Sequence, residues 1–198
     1  MKQLLSTCAL AAALACSPVL AYAGGGGGIE YLTNLGSDVL AKIPIPGSAL
    51  LDVPTGSITG FSAFGYGITW GGWKIGGFAT GLYTGPLSIP VPSLGGNVTG
   101  MAGGFGGVIS GGHARLGPFS LSLNVRLGAG GLGVQYAQTT TGVFSLYGAL
   151  DAEIGLVFVP AMMISAFAGV HALVPMSYAG IFPFAAPAAG IRITWGSF

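Results

Sequence analysis

The sequence has 198 residues, of which 38 are glycine and 52 % are hydrophobic, whereas only 6 % are charged. A soluble domain usually carries roughly a quarter charged residues, so this composition excludes an ordinary soluble surface and favours a membrane-embedded or self-assembling chain. The formal charge of +1 offers no basic patch, so we expect no nucleic-acid partner.

Residues 1–23 are predicted to be a secretory signal peptide. Lys2 supplies the charged end, an apolar stretch follows, and a small-x-small cleavage site ends at Ala23. A retained membrane anchor and lipoprotein processing at Cys16 are the alternatives. Because Cys8 and Cys16 are the only cysteines, cleavage after Ala23 leaves a mature chain without disulfides or thiol chemistry.

Residues 24–56 are predicted to be a glycine-rich leader. Residues 24–28 are all glycine, a composition typical of flexible spacers. Over residues 29–43 the apolar side chains recur at roughly helical spacing, which leaves open a short amphipathic helix or a poorly ordered segment. Pro44 then ends any helix.

From residue 57 onward the apolar residues recur with period two, which indicates β-strands. Over residues 119–127, Phe, Leu, Leu, Val and Leu alternate with Ser, Ser, Asn and Arg, and Phe64, Tyr66 and Ile68 alternate with Gly and Thr. Each strand therefore has one apolar face, which we expect to face lipid, and one small or polar face. The predicted strands are 57–70, 73–84, 98–110, 113–127, 131–139, 143–158, 162–174 and 188–198.

These eight strands predict an all-β fold, a transmembrane antiparallel up-and-down barrel spanning residues 57–198. Glycine and proline supply turn geometry between strands. The predicted turns are at Gly71–Gly72, Gly111–Gly112, 128–130, 140–142 and Pro160.

The charged residues test this orientation. Beyond Ser57, each of them falls on the polar face of its strand. A lipid-facing Arg or Lys at mid-bilayer costs about 2–4 kcal/mol, so a barrel must turn them inward. Four cations and two carboxylates are therefore predicted to form an ion network in the lumen: Lys74, Arg115, Arg126, Asp151, Glu153 and Arg192.

Four aromatic residues lie near presumed strand ends: Tyr66, Trp70, Trp73 and Trp195. Trp and Tyr prefer the membrane–water interface, so we interpret them as an interfacial girdle. Stacking against a ligand is the alternative interpretation.

A helical fold competes with the barrel. Residues 154–174 are almost entirely apolar after Glu153 and long enough for a membrane helix, which would pair with residues 181–191 as a helical hairpin. Pro160 interrupts that stretch. This alternative corresponds to a glycine-rich helical inner-membrane protein.

The signal peptide, the alternating strands and the terminal Phe198 together resemble small bacterial outer-membrane β-barrel proteins. The resemblance is architectural and covers residues 57–198. It implies a bacterial outer-membrane location, contact with membrane lipid, and a C-terminal assembly signal at Phe198 for the barrel-insertion machinery. Ile191, Ile193 and Trp195 are one residue out of phase with Phe198, which a bulge would correct.

No motif indicates a catalytic centre, a cofactor or a metal site, so we expect no enzyme. His113 and His171 lack partners at ligand spacing, and His171 with Glu153 and Ser165 or Ser177 is the one catalytic set to consider. The expected function is a structural or interaction role in the outer membrane. The alternatives are a narrow pore or carrier for small apolar molecules and a lipid-modifying enzyme.

Overall fold

The computed structural model describes residues 22–34, 58–84, 89–91, 96–136, 139–176 and 184–197. All the regular structure in these residues is β. The strands are β1 Tyr22–Asn34, β2 Ile58–Thr69, β3 Trp73–Thr84, β4 Ile89–Val91, β5 Gly96–Leu116, β6 Phe119–Tyr136, β7 Thr139–Val159, β8 Met162–Pro175 and β9 Phe184–Ser197.

Eight of these strands close into one antiparallel barrel. The hydrogen-bonded order is β3-β2-β1-β9-β8-β7-β6-β5, and pairing between β3 and β5 joins the two ends. The short strand β4 only extends β5 at its beginning. The predicted fold class, an antiparallel β-barrel of about eight strands, is confirmed.

The two ends of the barrel differ in their connections. At one end, here called the turn end, tight turns join β2 to β3, β5 to β6 and β7 to β8. Gly72 and Gly117 have φ values of 75° and 64° in two of these turns, a conformation that glycine adopts without strain. At the opposite end, here called the loop end, β1 ends at Asn34, β3 at Thr84 and β8 at Pro175, and β7 begins at Thr139.

Glycines on the inner face let neighbouring strands approach closely. A Cβ atom on Gly107 would overlap the carbonyl oxygen of Leu127 and lie 2.5 Å from the Cα of Gly128 on β6. On the outer face of the same strand, a Cβ on Gly104 would meet no atom within 4 Å. The inward glycine is therefore required by the tight curvature of a small barrel, whereas the outward one is not.

The structure corrects the predicted leader. Residues 22–34 form β1, a full barrel strand, so the barrel does not begin at residue 57. The glycine run pairs on both sides through its backbone: Gly25 lies opposite Gly67 on β2 and opposite Ser197 on β9. Residues 29–34 are extended and not helical; residues 35–56 and the predicted signal residues 1–21 lie outside the described residues.

The structure also corrects the turns. Strand β5 continues through Gly111–Gly112 to Leu116, and the turn falls at 117–118. Strand β6 runs unbroken through residues 128–130, so the predicted strands 113–127 and 131–139 are largely one. Residues 140–142 belong to β7. The count of eight was therefore reached with β1 missing and β6 divided in two.

The outside of the barrel is an apolar belt. Large exposed apolar side chains occur on all eight barrel strands, for example Leu123, Leu150 and Ile191. On β3 the belt runs from Trp73 to Tyr83, which corresponds to roughly 25 Å along the barrel axis for tilted strands. This height matches the apolar band of outer-membrane barrels.

The helical alternative for residues 154–191 is wrong. The described parts of this segment form the end of β7, all of β8 and most of β9. No helix in the described residues is long and apolar enough to cross a membrane.

Candidate functional site

A cluster of six charged side chains fills the middle of the lumen and is called the ion cluster below. Each is almost completely buried, with Arg126 fully inaccessible and Glu153 only 5 % exposed. Its members come from five of the eight strands: Glu30, Lys74, Arg126, Asp151, Glu153 and Arg192.

Glu30 holds two arginines from different strands. Arg126 donates two parallel hydrogen bonds to it, with Nη2 2.7 Å from Oε2 and Nη1 2.5 Å from Oε1. Arg192, directly opposite Glu30 in the β1–β9 pairing, donates from Nε to Oε2 over 2.6 Å. Bidentate arginine–carboxylate pairs are among the stronger hydrogen-bonded contacts in proteins.

Arg192 contacts all three carboxylates. Its Nη2 donates to Asp151 Oδ1 over 2.9 Å, and its Nη1 donates to Glu153 Oε2 over 2.8 Å. Arg126 Nε also lies 3.4 Å from Asp151 Oδ2. The three carboxylates are therefore joined through two guanidinium groups.

Lys74 and two neutral residues complete the cluster. Lys74 Nζ donates to Asn124 Oδ1 at 3.1 Å and to Glu153 Oε2 at 3.4 Å. Asn124 Nδ2 donates in turn to Asp151, and Ser165 Oγ donates to Glu153 Oε1 over 2.6 Å. Three cations thus balance three carboxylates, which satisfies the requirement that buried charges be paired.

Five of the six residues predicted for the lumen network meet in this cluster, but Arg115 does not. Arg115 is exposed near the turn end, where its Nε donates to the carbonyl oxygen of Gly117 over 3.0 Å. The prediction for Arg115 is wrong because β5 extends to Leu116 and carries this residue to the rim.

Glu30 was missed because residues 24–56 were assigned to a leader. Two signals pointed to it. Ile29 and Tyr31 flank it with period two, and both are exposed on the outer face. The predicted network also held four cations and only two carboxylates, an imbalance that a third carboxylate largely corrects.

A layer of aromatic side chains lies beside the ion cluster on its loop-end side and is called the aromatic layer. Its members are Phe78, Phe105, Tyr147, Phe167 and His171. The Tyr147 ring centroid lies 5.5 Å from that of Phe78 and 5.7 Å from those of Phe105 and His171. The Arg192 guanidinium lies 3.9 Å from the centroid of Phe167, which couples the two layers by a cation–π contact.

Of the four residues predicted to form the interfacial girdle, three are exposed at one end of the barrel and one is buried in the lumen. Trp70, Trp73 and Trp195 are exposed at the turn end, by 79 %, 52 % and 47 %. Tyr66 is not interfacial: it is buried in the lumen with Lys74 Nζ 4.5 Å from its ring centroid. The assignment of Tyr66 is wrong because Phe64, Tyr66 and Ile68 on β2 point inward, opposite to the expected orientation.

The catalytic set considered for His171 is not assembled with Ser165. Ser165 and His171 lie six residues apart on the same face of β8, hence about 20 Å apart along the strand. Ser165 instead binds Glu153, and His171 Nδ1 lies 2.8 Å from Tyr147 Oη. Ser177 and the predicted assembly signal Phe198 lie outside the described residues.

In the part of the chain that the structure describes, no group of three or more His, Cys, Asp or Glu residues is placed to hold a metal ion. The three carboxylates of the ion cluster are paired with arginine and lysine side chains. The cluster therefore has no net charge, and it links side chains of different strands across the lumen.

The fold is similar to those of two proteins of solved structure, whereas no protein-family model and no curated protein matches the sequence. Neisserial surface protein A (NspA) is 7 % identical with a TM-score of 0.57, covering 88 % of this chain and 96 % of NspA. Ail, the attachment invasion locus protein of Yersinia pestis, solved with the heparin analogue sucrose octasulfate, is 12 % identical with a TM-score of 0.51, covering 87 % and 97 %. At these identities the likeness concerns the fold, and it confirms the resemblance to small bacterial outer-membrane β-barrels.

Proposed function

We propose that this protein is a closed barrel of the bacterial outer membrane with a structural or interaction role rather than a conducting pore. The observation that carries the proposal is the ion cluster. Its six charged groups span the lumen from β1 to β6 and are bonded to one another. A small eight-stranded barrel can be filled by its own side chains, and here the buried ion cluster fills the middle of the lumen.

Two features support the membrane location. The apolar belt is about as tall as the hydrocarbon core seen by outer-membrane barrels. The three tight turns between described strands all lie at the same end, as in barrels whose short turns face the periplasm. We therefore orient the turn end toward the periplasm, with the interaction surface at the loop end.

Single-channel recording in planar bilayers tests the closed lumen. Wild-type protein should give no discrete conductance steps. The double variant Glu30→Ala/Arg126→Ala, which removes both partners of the bond across the lumen, serves as the comparison and should give transient small steps. Steady conductance steps in the wild-type protein would contradict a closed lumen and indicate a narrow pore.

Cell fractionation and mass spectrometry of the mature chain test the location and processing. The protein should fractionate with the outer membrane, and its first residue should be Gly24, after cleavage of residues 1–23. Deletion of Phe198 should lower the folded fraction in cells, as the proposed recognition by the barrel-insertion machinery requires. Refolding of the purified deletion variant in detergent should be unaffected, which separates recognition from stability.

A further inference from the structure

The three turns at the turn end are apolar up to their tips. Trp70, in the β2–β3 turn, is 79 % exposed. The other exposed residues of these turns and their flanks include Trp73, Leu116, Pro118, Phe119, Phe158, Val159 and Pro160. Turns that face water are rich in Asn, Asp and Ser besides Gly and Pro, and a large exposed apolar patch marks a surface that contacts a partner or a membrane.

The apolar belt continues onto these turns without a polar break. Phe119 and Trp73 are exposed belt residues, and each is the first residue of the strand that follows its turn. Toward the loop end, the last large exposed apolar side chain that the structure describes on β6 is Leu127, although the strand continues to Tyr136. Gln135 there is exposed and lies opposite Thr140 of β7, which is also exposed. The surface that meets lipid therefore reaches the turns at one end and stops short of the strand ends at the other.

Arg115 is the one charged side chain among the described residues that lies outside the ion cluster. It is exposed at the turn end, where its Nε donates to the carbonyl oxygen of Gly117. It borders an open hollow of about 400 Å³, whose other walls are residues 157–160 and Ser197. A guanidinium has five N–H donors in a planar fork that suits phosphate, so Arg115 can bind a phosphate oxygen while it holds Gly117.

A single cation among apolar turns matches the chemistry of a phospholipid headgroup layer. That layer presents phosphate oxygens directly beside the first carbons of the acyl chains, and tryptophan prefers this depth. Charge complementarity favours it, because the surface carries one arginine and no described carboxylate. Continuity also favours it, because the same apolar surface already faces lipid along the strands.

We propose that the three turns and Arg115 form a membrane-docking surface, which lies within the headgroup layer of the periplasmic leaflet and binds a phospholipid phosphate through Arg115. The apolar turn residues pack against the first carbons of the acyl chains. This inference rests on the proposed outer-membrane location and orientation. If it fails while the protein still fractionates with the outer membrane, the location stands and only the depth of the turn end is wrong.

Solid-state NMR of the full mature protein in phosphatidylglycerol vesicles tests the phosphate contact. The chain has three arginines, so dephasing by lipid ³¹P should remove about one third of the labelled arginine Cζ signal. Arg126 and Arg192 are buried in the ion cluster and serve as internal controls. Arg115→Gln changes only an exposed side chain and should abolish the dephasing in a folded barrel. No dephasing in the wild-type protein, or equal dephasing in Arg115→Gln, overturns the proposal.

Single cysteines test the depth of the turns, because the chain contains no cysteine after residue 23. A fluorophore on Ala161→Cys, in the β7–β8 turn, should be quenched by lipids with a headgroup nitroxide roughly threefold more than one on Thr140→Cys, at the loop end. Iodide in the water should quench the two in the opposite order. Equal quenching by iodide overturns the proposal, because the turn end then contacts water. Shielding of Ala161→Cys from both quenchers also overturns it, because a protein partner or a second copy then covers the turns.

Discussion

Glu30 and Arg126 are 96 positions apart in the sequence and meet across the barrel, where Arg126 Nη2 donates to Glu30 Oε2 over 2.7 Å. Strands β1 and β6, which carry them, are four steps apart in the ring of eight, so they face each other across its diameter. This bond therefore braces the lumen internally, in addition to the hydrogen bonds between neighbouring strands.

Removing one partner of this bond should destabilise the barrel strongly. Arg126→Met leaves Glu30 and Asp151 short of a cation inside the lumen, and such a loss typically costs about 3–5 kcal/mol. Urea unfolding in detergent measures the change in the free energy of unfolding. Arg115→Met, the same substitution at an exposed site, should change it by less than about 1 kcal/mol. An equal change in the free energy of unfolding for Arg126→Met and Arg115→Met would show that the bond between Glu30 and Arg126 does not stabilise the barrel.

The double variant Glu30→Gln/Arg126→Met should lose less stability than the two single variants added together. Once Arg126 is gone, neutralising Glu30 relieves an unbalanced charge, so we expect a coupling energy of about 0.5–3 kcal/mol. A double-mutant cycle by the same unfolding measurement gives this energy. Strict additivity would mean that the two groups do not interact in solution.

Two glycines three residues apart on β5 should respond to valine in opposite directions. Gly107→Val places a side chain against the backbone of β6 and should destabilise the barrel by about 1–3 kcal/mol or more. Gly104→Val points into open space on the outer face and should stabilise it by about 0.5–1 kcal/mol. The temperature at which the folded gel band disappears on heating reports both changes. Destabilisation by both would show that the outer face is also closely packed.

Because the apolar belt faces lipid, an arginine placed on it should destabilise the barrel by an amount that depends on its depth in the membrane. Leu150 is half-exposed near the middle of the belt, so Leu150→Arg should destabilise the barrel in lipid vesicles by about 2–4 kcal/mol. Phe158 is similarly exposed at the turn end, and Phe158→Arg should cost about 0–1 kcal/mol. Reversible urea unfolding in vesicles measures both. If Leu150→Arg leaves the free energy of unfolding unchanged, this face of the barrel contacts water and not lipid.

All three tryptophans of the chain, Trp70, Trp73 and Trp195, lie at the turn end, so fluorescence reports the depth of that rim alone. Lipids brominated near the headgroup should quench the emission more than lipids brominated at the chain ends, because tryptophan prefers the interface. Stronger quenching by the deep bromines would remove these residues from the interfacial girdle.

Alternation predicted the structure well where large apolar and polar residues share a strand. On β6, the exposed Leu121, Leu123 and Val125 and the buried Asn124 and Arg126 are placed as expected. Charges settle the orientation of such a strand, because a charged side chain is excluded from lipid. For the same reason, the inward position of Asp151 and Glu153 could be deduced from the sequence.

Glycine-rich segments account for most of the differences between the predicted and the observed strands. A run such as residues 24–28 has no side chains to alternate, so the first half of β1 shows no strand pattern, and Glu30 was assigned to the leader with it. Gly128 and Gly130 resemble a turn in sequence, but in a narrow barrel they allow close strand approach. On β2 no charge chooses between the faces, so the inward position of Tyr66 could not be deduced.

The pairing of β1 with β9 has a consequence for how the ring is completed. Glu30 and Arg192 are directly opposite across this seam and 162 positions apart, so the seam forms only when the last strand is available. A slip of one residue would turn Glu30 toward lipid. A slip of two would keep it inside but move it by about 7 Å along the strand, away from Arg126 and Arg192. The buried charges therefore select one register for the pairing of β1 with β9, because every charged group is paired only in that register.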